Sequence, residues 1–342
     1  MTMTTSRARG SFFTVLAMML LAIPLGAASV RIIQTNSAGD NVHIIDPATN
    51  KVVGVIEGIE VGHGATAMPD GSRVYVSNEA DKTLDVVDGK TLKVTKKIPL
   101  TGRPNNIAIT KDGRRVYVSI TGPEGGVDIV DTASGTKAKF LPIKGGIHNT
   151  YVTPDGKFAV SGSIPGETMT VIDTKTEQPA WTYQFDLGVR PMAFSANPDG
   201  STKWGFVQLS ELNGFAVVDF ATHKEIHRIK LPDLTPGRQL VRVGGNVSHG
   251  IAVTADQKTL IVNSRLNSAV YKYALPDLKL LGQTEINGID PNWVTLTPDG
   301  KMAYVAIAGS NWVAAIDIAS MKQMAKIPVG YVPKRNATIV LP

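Results

Sequence analysis

Short apolar segments alternate with polar turns along the chain, and one unit illustrates the pattern. Residues 106–110 (NIAIT) form an apolar segment, residues 111–113 (KDG) a turn, and residues 115–119 (RVYVS) an alternating apolar and polar segment. A third apolar segment (126–131, GVDIVD) and a second turn (132–135) follow, and a fourth segment comes next. Alternation with a period of two is typical of strands, and glycine in the first turn permits a positive φ. The unit therefore predicts four antiparallel strands.

A turn phrase close to TPDGKxxYV marks each repetition of this unit. It occurs at residues 68–76, 110–118, 153–160, 197–200, 254–262 and 297–305. The turn aspartates are 42, 43, 44, 57 and 43 residues apart, at Asp70, Asp112, Asp155, Asp199, Asp256 and Asp299. A period of about 40–45 residues with four strands in each unit is typical of a β-propeller, in which each unit is one blade.

The chain predicts seven blades, the last of which is assembled from both ends. First strands begin near His63, Asn105, His148, Met192, His249, Asn292 and Arg335. The second to fourth strands of a unit without a first strand lie at residues 31–36, 42–46 and 51–57. A first strand with nothing after it lies at residues 336–341, and pairing these ends removes two sheet edges. We therefore predict an all-β, seven-bladed β-propeller with four-stranded antiparallel blades, closed by N-terminal strands plus a C-terminal strand.

The repeated phrases resemble those of the YVTN family of seven-bladed propellers. The resemblance covers about residues 30–342 and rests on the TPDGKxxYV phrases, the VID strand ends and the PVG…P segment at residues 327–333. It implies the propeller fold for nearly the whole chain after residue 29. It does not select an activity, because similar propellers include lactonases, dehydrogenase subunits, surface-layer proteins and many binding proteins of unknown ligand.

Residues 1–28 are predicted to be a secretory signal peptide. Two arginines among the first ten residues precede an apolar run at residues 12–25, and residues 26–28 (GAA) are small enough for cleavage. The apolar run is short for a bilayer span, and a retained anchor is the alternative. We expect cleavage near Ala28, a periplasmic or secreted protein with no stable membrane anchor, and a single propeller domain over residues 29–342.

Composition excludes several classes of site. The chain contains no cysteine, which excludes c-type haem, thiolate zinc and iron–sulfur centres and leaves stability to a large packed core. Without the signal peptide there are 33 Lys and Arg residues against 29 Asp and Glu residues, a net charge of +4. The positive charges are scattered and form no basic stripe, so no nucleic-acid partner is expected. No cofactor is predicted.

A ring of polar residues is predicted at one mouth of the central channel. In a propeller the first strand of each blade lines this channel, and its start lies on the face opposite the DG turns. The residues seven positions before the turn aspartates are His63, Asn105, His148, Met192, His249 and Asn292. Arg335 is the seventh member, or Lys334 or Asn336 if the register slips by one residue. We predict that this ring binds a ligand.

The three histidines of the ring suit more than one kind of chemistry. Imidazoles on blades one, three and five fit a first-row transition metal, with Met192 as a soft ligand, which makes His63, His148 and His249 weak metal candidates. The same groups fit general acid–base catalysis on a bound substrate. In a third interpretation they only meet channel water and start their strands. The sequence commits to no metal and to no catalytic residue.

One unit is longer than its neighbours by about 14 residues, and the extra length falls at residues 231–248. This loop precedes His249 and is predicted on the mouth face, where long loops are often functional. It carries Arg238 and Arg242, and Arg190 enters the same face from the preceding blade. Guanidinium groups there favour a carboxylate or phosphate ligand, unless nearby carboxylates pair with them. We include all three arginines in the predicted ligand site.

Other polar residues are weaker candidates. Glu79 and Glu211 lie in loops between second and third strands, where each suits either a general base or an ordinary loop carboxylate. The ring itself contains no glutamate. His43, His223 and His227 are expected in strands or turns away from the mouth.

Three functions remain open. Clustering of His, Asn and Arg with the long loop on one face favours an exported, non-catalytic propeller. It would bind a small, anionic ligand or a periplasmic partner protein at the channel mouth. The alternative is a lactonase-like hydrolase or lyase that uses the mouth histidines. A further alternative is an accessory subunit of a periplasmic oxidoreductase. The chain has no G-x-S-x-G, H-E-x-x-H or Walker phosphate-loop motif.

Overall fold

Strands and tight turns make up almost all of the described chain. A computed structural model describes residues 1–2, 29–233 and 244–342. Residues 3–28 of the predicted signal peptide and residues 234–243 of the long loop lie outside the described residues. The described part contains 28 strands and one short 3₁₀ helix, Ala308–Ser310.

The strands are short, with between four and nine residues each. The first fifteen are β1 Ser29–Asn36, β2 Asn41–Asp46, β3 Lys51–Glu57, β4 Gly62–Ala67, β5 Arg73–Asn78, β6 Thr83–Asp88, β7 Val94–Pro99, β8 Pro104–Ile109, β9 Arg115–Ile120, β10 Gly126–Asp131, β11 Thr136–Pro142, β12 Asn149–Val152, β13 Phe158–Gly162, β14 Thr168–Asp173 and β15 Gln178–Gln184. The others are β16 Val189–Ala196, β17 Thr202–Leu209, β18 Gly214–Asp219, β19 Lys224–Lys230, β20 Ser248–Val253, β21 Thr259–Ser264, β22 Ala269–Ala274, β23 Leu280–Glu285, β24 Pro291–Leu296, β25 Met302–Ile307, β26 Trp312–Asp317, β27 Lys322–Pro328 and β28 Pro333–Leu341.

These strands form seven four-stranded antiparallel sheets, each of which is one blade. Blades one to six take four consecutive strands each, from β4–β7 to β24–β27. Blade seven has the order β28-β1-β2-β3, so the C-terminal strand pairs with the N-terminal strands. The predicted seven-bladed propeller and its mode of closure are therefore confirmed.

The TPDG phrase builds the hairpin turn between the first and second strands of a blade. In blade two, Thr110 Oγ1 donates to Asp112 Oδ1 at 2.6 Å, and the same carboxylate accepts from the Arg114 amide at 3.0 Å. Gly113 has φ +71°, a conformation that L side chains rarely adopt. The aspartate is therefore a turn residue that closes the hairpin by bonding its own backbone.

The core lies between the blades, and the tyrosine of the repeated phrase contributes to it. Tyr75 of blade one packs with Val116 and Val118 of blade two. Tyr304 of blade six is fully buried among residues of blade seven, and its hydroxyl donates to Asn50 Oδ1 at 2.6 Å. Each fully buried side chain of this size stabilises the fold by about 1.5–3 kcal/mol. The phrase therefore specifies both a turn and a contact between blades.

Among the described residues, none belongs to a helix with the length and apolar character needed to cross a membrane.

Candidate functional site

A polar cavity of about 330 Å³ opens at one mouth of the channel. Its lining residues are His63, Glu79, Arg103, Asn105, Thr121, His148, Arg190, Asn246, His249, Lys334 and Arg335. Six of the ten residues predicted to contact a ligand are among them. The structure therefore brings most of the predicted ring together at one place.

Local irregularities at the start of the first strands aim the ring residues into this cavity. The register of the first strand shifts between Gly62 and Ala65 in blade one, between Pro104 and Ile107 in blade two, and between Ser248 and Ile251 in blade five. His63, Asn105 and His249 lie within these bulges. A bulge turns a side chain away from the regular alternation of the strand, and bulges are common beside functional sites.

Hydroxyl groups of the neighbouring blade hold the bulged backbone in place. Thr35 Oγ1 of blade seven donates to the His63 carbonyl at 2.7 Å, and Ser77 Oγ of blade one donates to the Asn105 carbonyl at 2.5 Å. All four residues are buried. The mouth side chains are thus fixed by hydrogen bonds that run from one blade to the next.

Met192 does not lie at the mouth, and its predicted position is wrong. It is 2% exposed, packs with Val189 and Phe194, and borders the channel from the opposite end. In blade four the first and second strands, β16 and β17, have eight residues each, where their counterparts in blade one, β4 and β5, have six. The constant offset from the turn aspartate therefore fails in this blade. The register shift between Val189 and Met192 places Arg190 where His63 lies in blade one.

Two other groups of predicted residues have different outcomes. Asn292 is 1% exposed, and its carbonyl lies 2.6 Å from His249 Nδ1, so it supports that imidazole from behind. Its side-chain amide donates to Asp290 at 3.1 Å. Arg238 and Arg242 lie outside the described residues.

The carboxylate of Glu79 joins His63 to Arg103. Oε1 lies 2.8 Å from His63 Nδ1, and Oε2 accepts from Arg103 Nε at 3.0 Å and from Nη2 at 2.6 Å. The N–H of His63 does not point straight at Oε1, so that contact is chiefly electrostatic. A carboxylate at this distance favours a proton on Nδ1 and leaves the Nε2 lone pair available.

The protonation states of this pair follow from burial and charge. Burial, with a smaller contribution from the charge of Arg335, lowers the pKa of His63 to about 4 against the opposing effect of Glu79. Burial raises the pKa of Glu79, but His63 and Arg103 outweigh it and bring that pKa to about 2. At neutral pH the arrangement is therefore a neutral imidazole beside an ionised carboxylate.

The other two mouth histidines face each other across the cavity. The rings of His148 and His249 meet edge to face, with centroids 6.0 Å apart. Burial lowers the pKa of both imidazoles well below the usual value, and the charge of Arg335 adds to the effect. His249 Nδ1 donates to the Asn292 carbonyl, which leaves its Nε2 as an acceptor. Both histidines are therefore neutral at physiological pH.

Arg335 is a buried cation without a carboxylate partner among the described residues. It is 2% exposed, its Nη2 donates to Asn105 Oδ1, and its guanidinium carbon lies 4.1 Å from the ring centroid of Trp293. Its Nε and Nη1 have no hydrogen-bond partner in the described structure. Burial lowers its pKa to about 10. Such unpaired donors are rare in folded proteins, and a guanidinium of this kind favours a carboxylate or phosphate ligand.

Positive charge dominates the cavity. The lining contains four cationic side chains and one carboxylate, Glu79. Burial lowers the pKa of Arg190 to about 10, and the hydrogen bond found for its side chain in the described structure is Nε to Ser210 Oγ at 2.8 Å. Arg265 lies close by, but Asp290 neutralises it through two contacts, one of 2.8 Å. The cavity therefore favours an anionic ligand.

The described residues offer no preformed metal centre. No group of three or more His, Cys, Asp or Glu side chains in residues 29–233 and 244–342 is arranged to hold an ion. The positive charge of Arg335, beside the mouth histidines, also opposes a divalent cation.

Three of the charged lining residues carry weak or no sequence signals. In the sequence, Glu79 cannot be distinguished from the other loop carboxylates. Its contact with His63 depends on the conformation of the loop after β5. Arg103 immediately precedes the first strand of blade two, and that position was the available signal. Lys334 was recognised only as a register alternative to Arg335, and both line the cavity.

Comparison with known proteins agrees with the architecture. The family model "Lactonase, 7-bladed beta-propeller" matches residues 142–335. The seven-bladed beta-propeller protein Rv1057 of Mycobacterium tuberculosis is 25% identical over 267 residues, which span 77% of this chain and 61% of that protein. The matched region is thus less than two thirds of that relative.

Solved structures with the same fold include proteins of different activities. Hydrazine synthase of Kuenenia stuttgartiensis is 22% identical with a TM-score of 0.72, covering 84% of this chain and 92% of that one. The periplasmic gluconolactonase PpgL of Pseudomonas aeruginosa is 19% identical with a TM-score of 0.72, covering 92% and 100%. At these identities the likeness shows the fold alone. The match to the family model covers more than half of the residues, and the chain belongs to the seven-bladed β-propeller lactonase family.

Proposed function

We propose that this protein hydrolyses a lactone that carries an anionic group, with the reaction at the channel mouth. The observation that carries the proposal is the His63–Glu79 pair in the same cavity as Arg335, whose Nε and Nη1 have no hydrogen-bond partner in the described structure. A base and an anion-binding group side by side suit this reaction, and the membership of a lactonase family supports it. The non-catalytic binding protein favoured by the sequence becomes the second candidate.

In the proposed mechanism, His63 acts as the general base. Its Nε2 takes a proton from a water molecule while the water oxygen attacks the lactone carbonyl carbon. The ring C–O bond then breaks, and the proton passes from Nε2 to the leaving alkoxide, which gives a hydroxy acid. Glu79 holds the imidazole through Nδ1 and stabilises the imidazolium that forms in between.

The cationic side chains have two roles in this mechanism. The free Nε and Nη1 donors of Arg335 bind either the carboxylate or phosphate of the substrate, or the oxyanion that develops on the carbonyl oxygen. Arg190 and Lys334 line the same cavity and add positive charge. Anionic lactones are therefore preferred over neutral ones.

The test is hydrolysis of a panel of lactones with and without a carboxylate, comparing wild type with His63→Gln. We expect turnover of the carboxylated members and a loss of about 10²–10⁴-fold in His63→Gln, the usual contribution of a general base. His227→Gln is the matched control, because His227 is exposed on the outer strand β19. No turnover of any lactone by the wild-type protein would refute the proposed activity.

Non-catalytic binding of an anion is the second candidate, since the open donors of Arg335 favour an anion whether or not a reaction follows. In that case carboxylates bind, no lactone is hydrolysed and Arg335→Met abolishes binding. Capture of a periplasmic partner, such as an oxidoreductase, with no small-anion binding favours the partner-protein alternatives instead.

We further propose that the protein is exported and processed near Ala28, and that it belongs to the YVTN-like group of these propellers. The composition of residues 1–28 and the TPDGKxxYV phrases support this. The intact mass of the protein purified from its host is then that of a chain starting near Ser29, and a full-length mass contradicts it.

A further inference from the structure

A second cavity, of about 370 Å³, adjoins the mouth cavity. Its lining residues are Thr121, Gly122, Pro123, Gly145, Gly146, Ile147, His148, Ile164 and Pro165. Thr121 and His148 line both cavities. The two cavities therefore share part of their walls at these two side chains.

The walls of the second cavity have the opposite chemistry to those of the first. Pro123, Ile147, Ile164 and Pro165 supply hydrocarbon, and none of its lining residues carries an acidic or a lysine or arginine side chain. The mouth cavity, in contrast, is lined by four lysine or arginine side chains and one carboxylate. A molecule that spans both spaces must therefore be charged at one end and apolar at the other.

The second cavity is built from three loops that hydrogen bonds hold together. The Ile147 amide donates to the Ile120 carbonyl at 2.9 Å, and Ser163 Oγ donates to the Gly145 carbonyl at 3.3 Å. Gly146 has φ +67°, and a Cβ there would clash with the Gly122 carbonyl oxygen. Only glycine lets these two loops approach so closely. The apolar space is therefore part of the folded framework.

We propose that this cavity binds a hydrocarbon substituent of the same ligand whose anionic group lies in the mouth cavity. The inference rests on the proposed function and narrows its substrate class to lactones that carry both an anionic group and an alkyl or aryl substituent. His148 stands at the junction and contacts both parts of the ligand. The wall shared with the charged cavity favours an occupant that is part of the same small molecule.

The test measures the binding of acetate, butyrate and hexanoate by calorimetry. Burial of a methylene contributes enough to raise affinity about fourfold, so the wild-type affinity is expected to rise by about that factor per methylene until the cavity is filled. Ile164→Ser makes one wall polar and flattens this increase, while acetate binds as before. Ile289→Ser is the matched control, because Ile289 is 54% exposed and lines neither cavity.

Each outcome bears on one proposal. Equal affinities for acetate and hexanoate in the wild type, or an undiminished increase in Ile164→Ser, overturn the apolar subsite. A clear chain-length increase in a protein that hydrolyses no lactone refutes the proposed hydrolysis and leaves the subsite standing. Hydrolysis without any effect of chain length refutes the subsite alone.

Discussion

Arg335 is the residue whose environment most needs an explanation. A guanidinium that is 2% exposed, with two donor nitrogens unpaired and no carboxylate partner among the described residues, has lost hydration without full compensation. Such a charge destabilises the ligand-free fold, and a bound anion would remove the penalty. This loss of stability is explained if the function of Arg335 is to bind an anion.

Replacement of Arg335 by methionine should separate stability from binding. We expect Arg335→Met to raise the free energy of unfolding of the ligand-free protein by about 1–3 kcal/mol, since apolar replacement of a buried charge is often stabilising. Affinity for acetate should fall at least tenfold. Urea unfolding and calorimetry measure the two effects. Arg114→Met, at an arginine whose side chain is 81% exposed, is the control and should change neither. Lower stability with unchanged acetate affinity would contradict this account.

The pKa of His63 predicts how stability depends on pH. In the unfolded chain this imidazole takes up a proton as the pH falls through 6.5, whereas in the folded protein it stays neutral down to about 4. The unfolded state therefore binds more protons between these values, and stability decreases as the pH falls through this window. His63 alone should account for about 2–3 kcal/mol of the loss between pH 7 and pH 4.5.

Urea unfolding of wild type and His63→Gln at pH 7 and pH 4.5 measures this contribution. The variant should lose less stability than the wild type by about that amount, because glutamine does not titrate. His227→Gln, which replaces an exposed side chain on β19, is the matched control. If His63→Gln and the wild type lose the same stability between pH 7 and pH 4.5, the predicted contribution of His63 is contradicted.

At the scale of the element, the repeat predicts strands well and bulges poorly. The TPDG phrase fixes the turn and the strands on either side of it, which is why six blades could be aligned from their aspartates. The mouth lies at the far end of the hairpin, so any change in strand length shifts it. Two extra residues in each of β16 and β17 put Arg190 in the ring position where Met192 was expected.

The contact between His63 and Glu79 could not be predicted from the sequence for a related reason. It joins the first strand of blade one to the loop after β5, and only the folded loop shows which way the carboxylate turns. The repeat gives a loop its place on the mouth face, but not its conformation. Loop carboxylates such as Glu211, which is not among the lining residues of the cavity, look the same in sequence.

The turn aspartates should matter for stability and leave the site untouched. Asp299 accepts from Thr297 Oγ1 at 2.6 Å and from the Lys301 amide at 3.1 Å. Asp299→Ala should lower the free energy of unfolding by about 1 kcal/mol, because both bonds are lost at a partly exposed turn. Asp277→Ala, in the exposed turn between β22 and β23, is the control. A change in acetate affinity in Asp299→Ala would show that the turn acts on the mouth.

At the scale of the whole molecule, the last blade closes the ring and also completes the site. β28 pairs with β1 from Ser29↔Leu341 to Asn36↔Pro333, and it carries Lys334 and Arg335 into the cavity. The strand that closes the propeller thus also supplies two of its cations. The proposed ligand binding would therefore be coupled to folding through this strand.

Deletion of residues 333–342 should destabilise the entire propeller. Ile339 and Leu341 are each 6% exposed, and losing their burial costs at least about 3 kcal/mol before the broken strand pairing is counted. Thermal unfolding should therefore begin at a lower temperature and lose its single cooperative transition. Removal of Pro342 alone, which is exposed, should have no effect. An unchanged cooperative transition after the larger deletion would show that closure is not required.

The fold could be predicted in full because its information is repeated along the chain, whereas the site depends on single departures from the repeat. The sequence placed Arg190 and Arg335 at the mouth and therefore predicted a positively charged site. It did not identify Arg103, which also lines the cavity. The ring positions of the histidines followed from spacing alone. Their neutral state did not, because it depends on burial.

The most direct test of the central claim is the rate of ring opening of one carboxylated lactone from pH 5.5 to pH 8. Since the pKa of His63 is about 4, the base is fully deprotonated over this range. We predict a rate above the buffer reaction, with kcat/KM constant across the range and reduced about 10²–10⁴-fold in His63→Gln. A rate equal to that of buffer at every pH, or an undiminished rate in His63→Gln, would contradict the account.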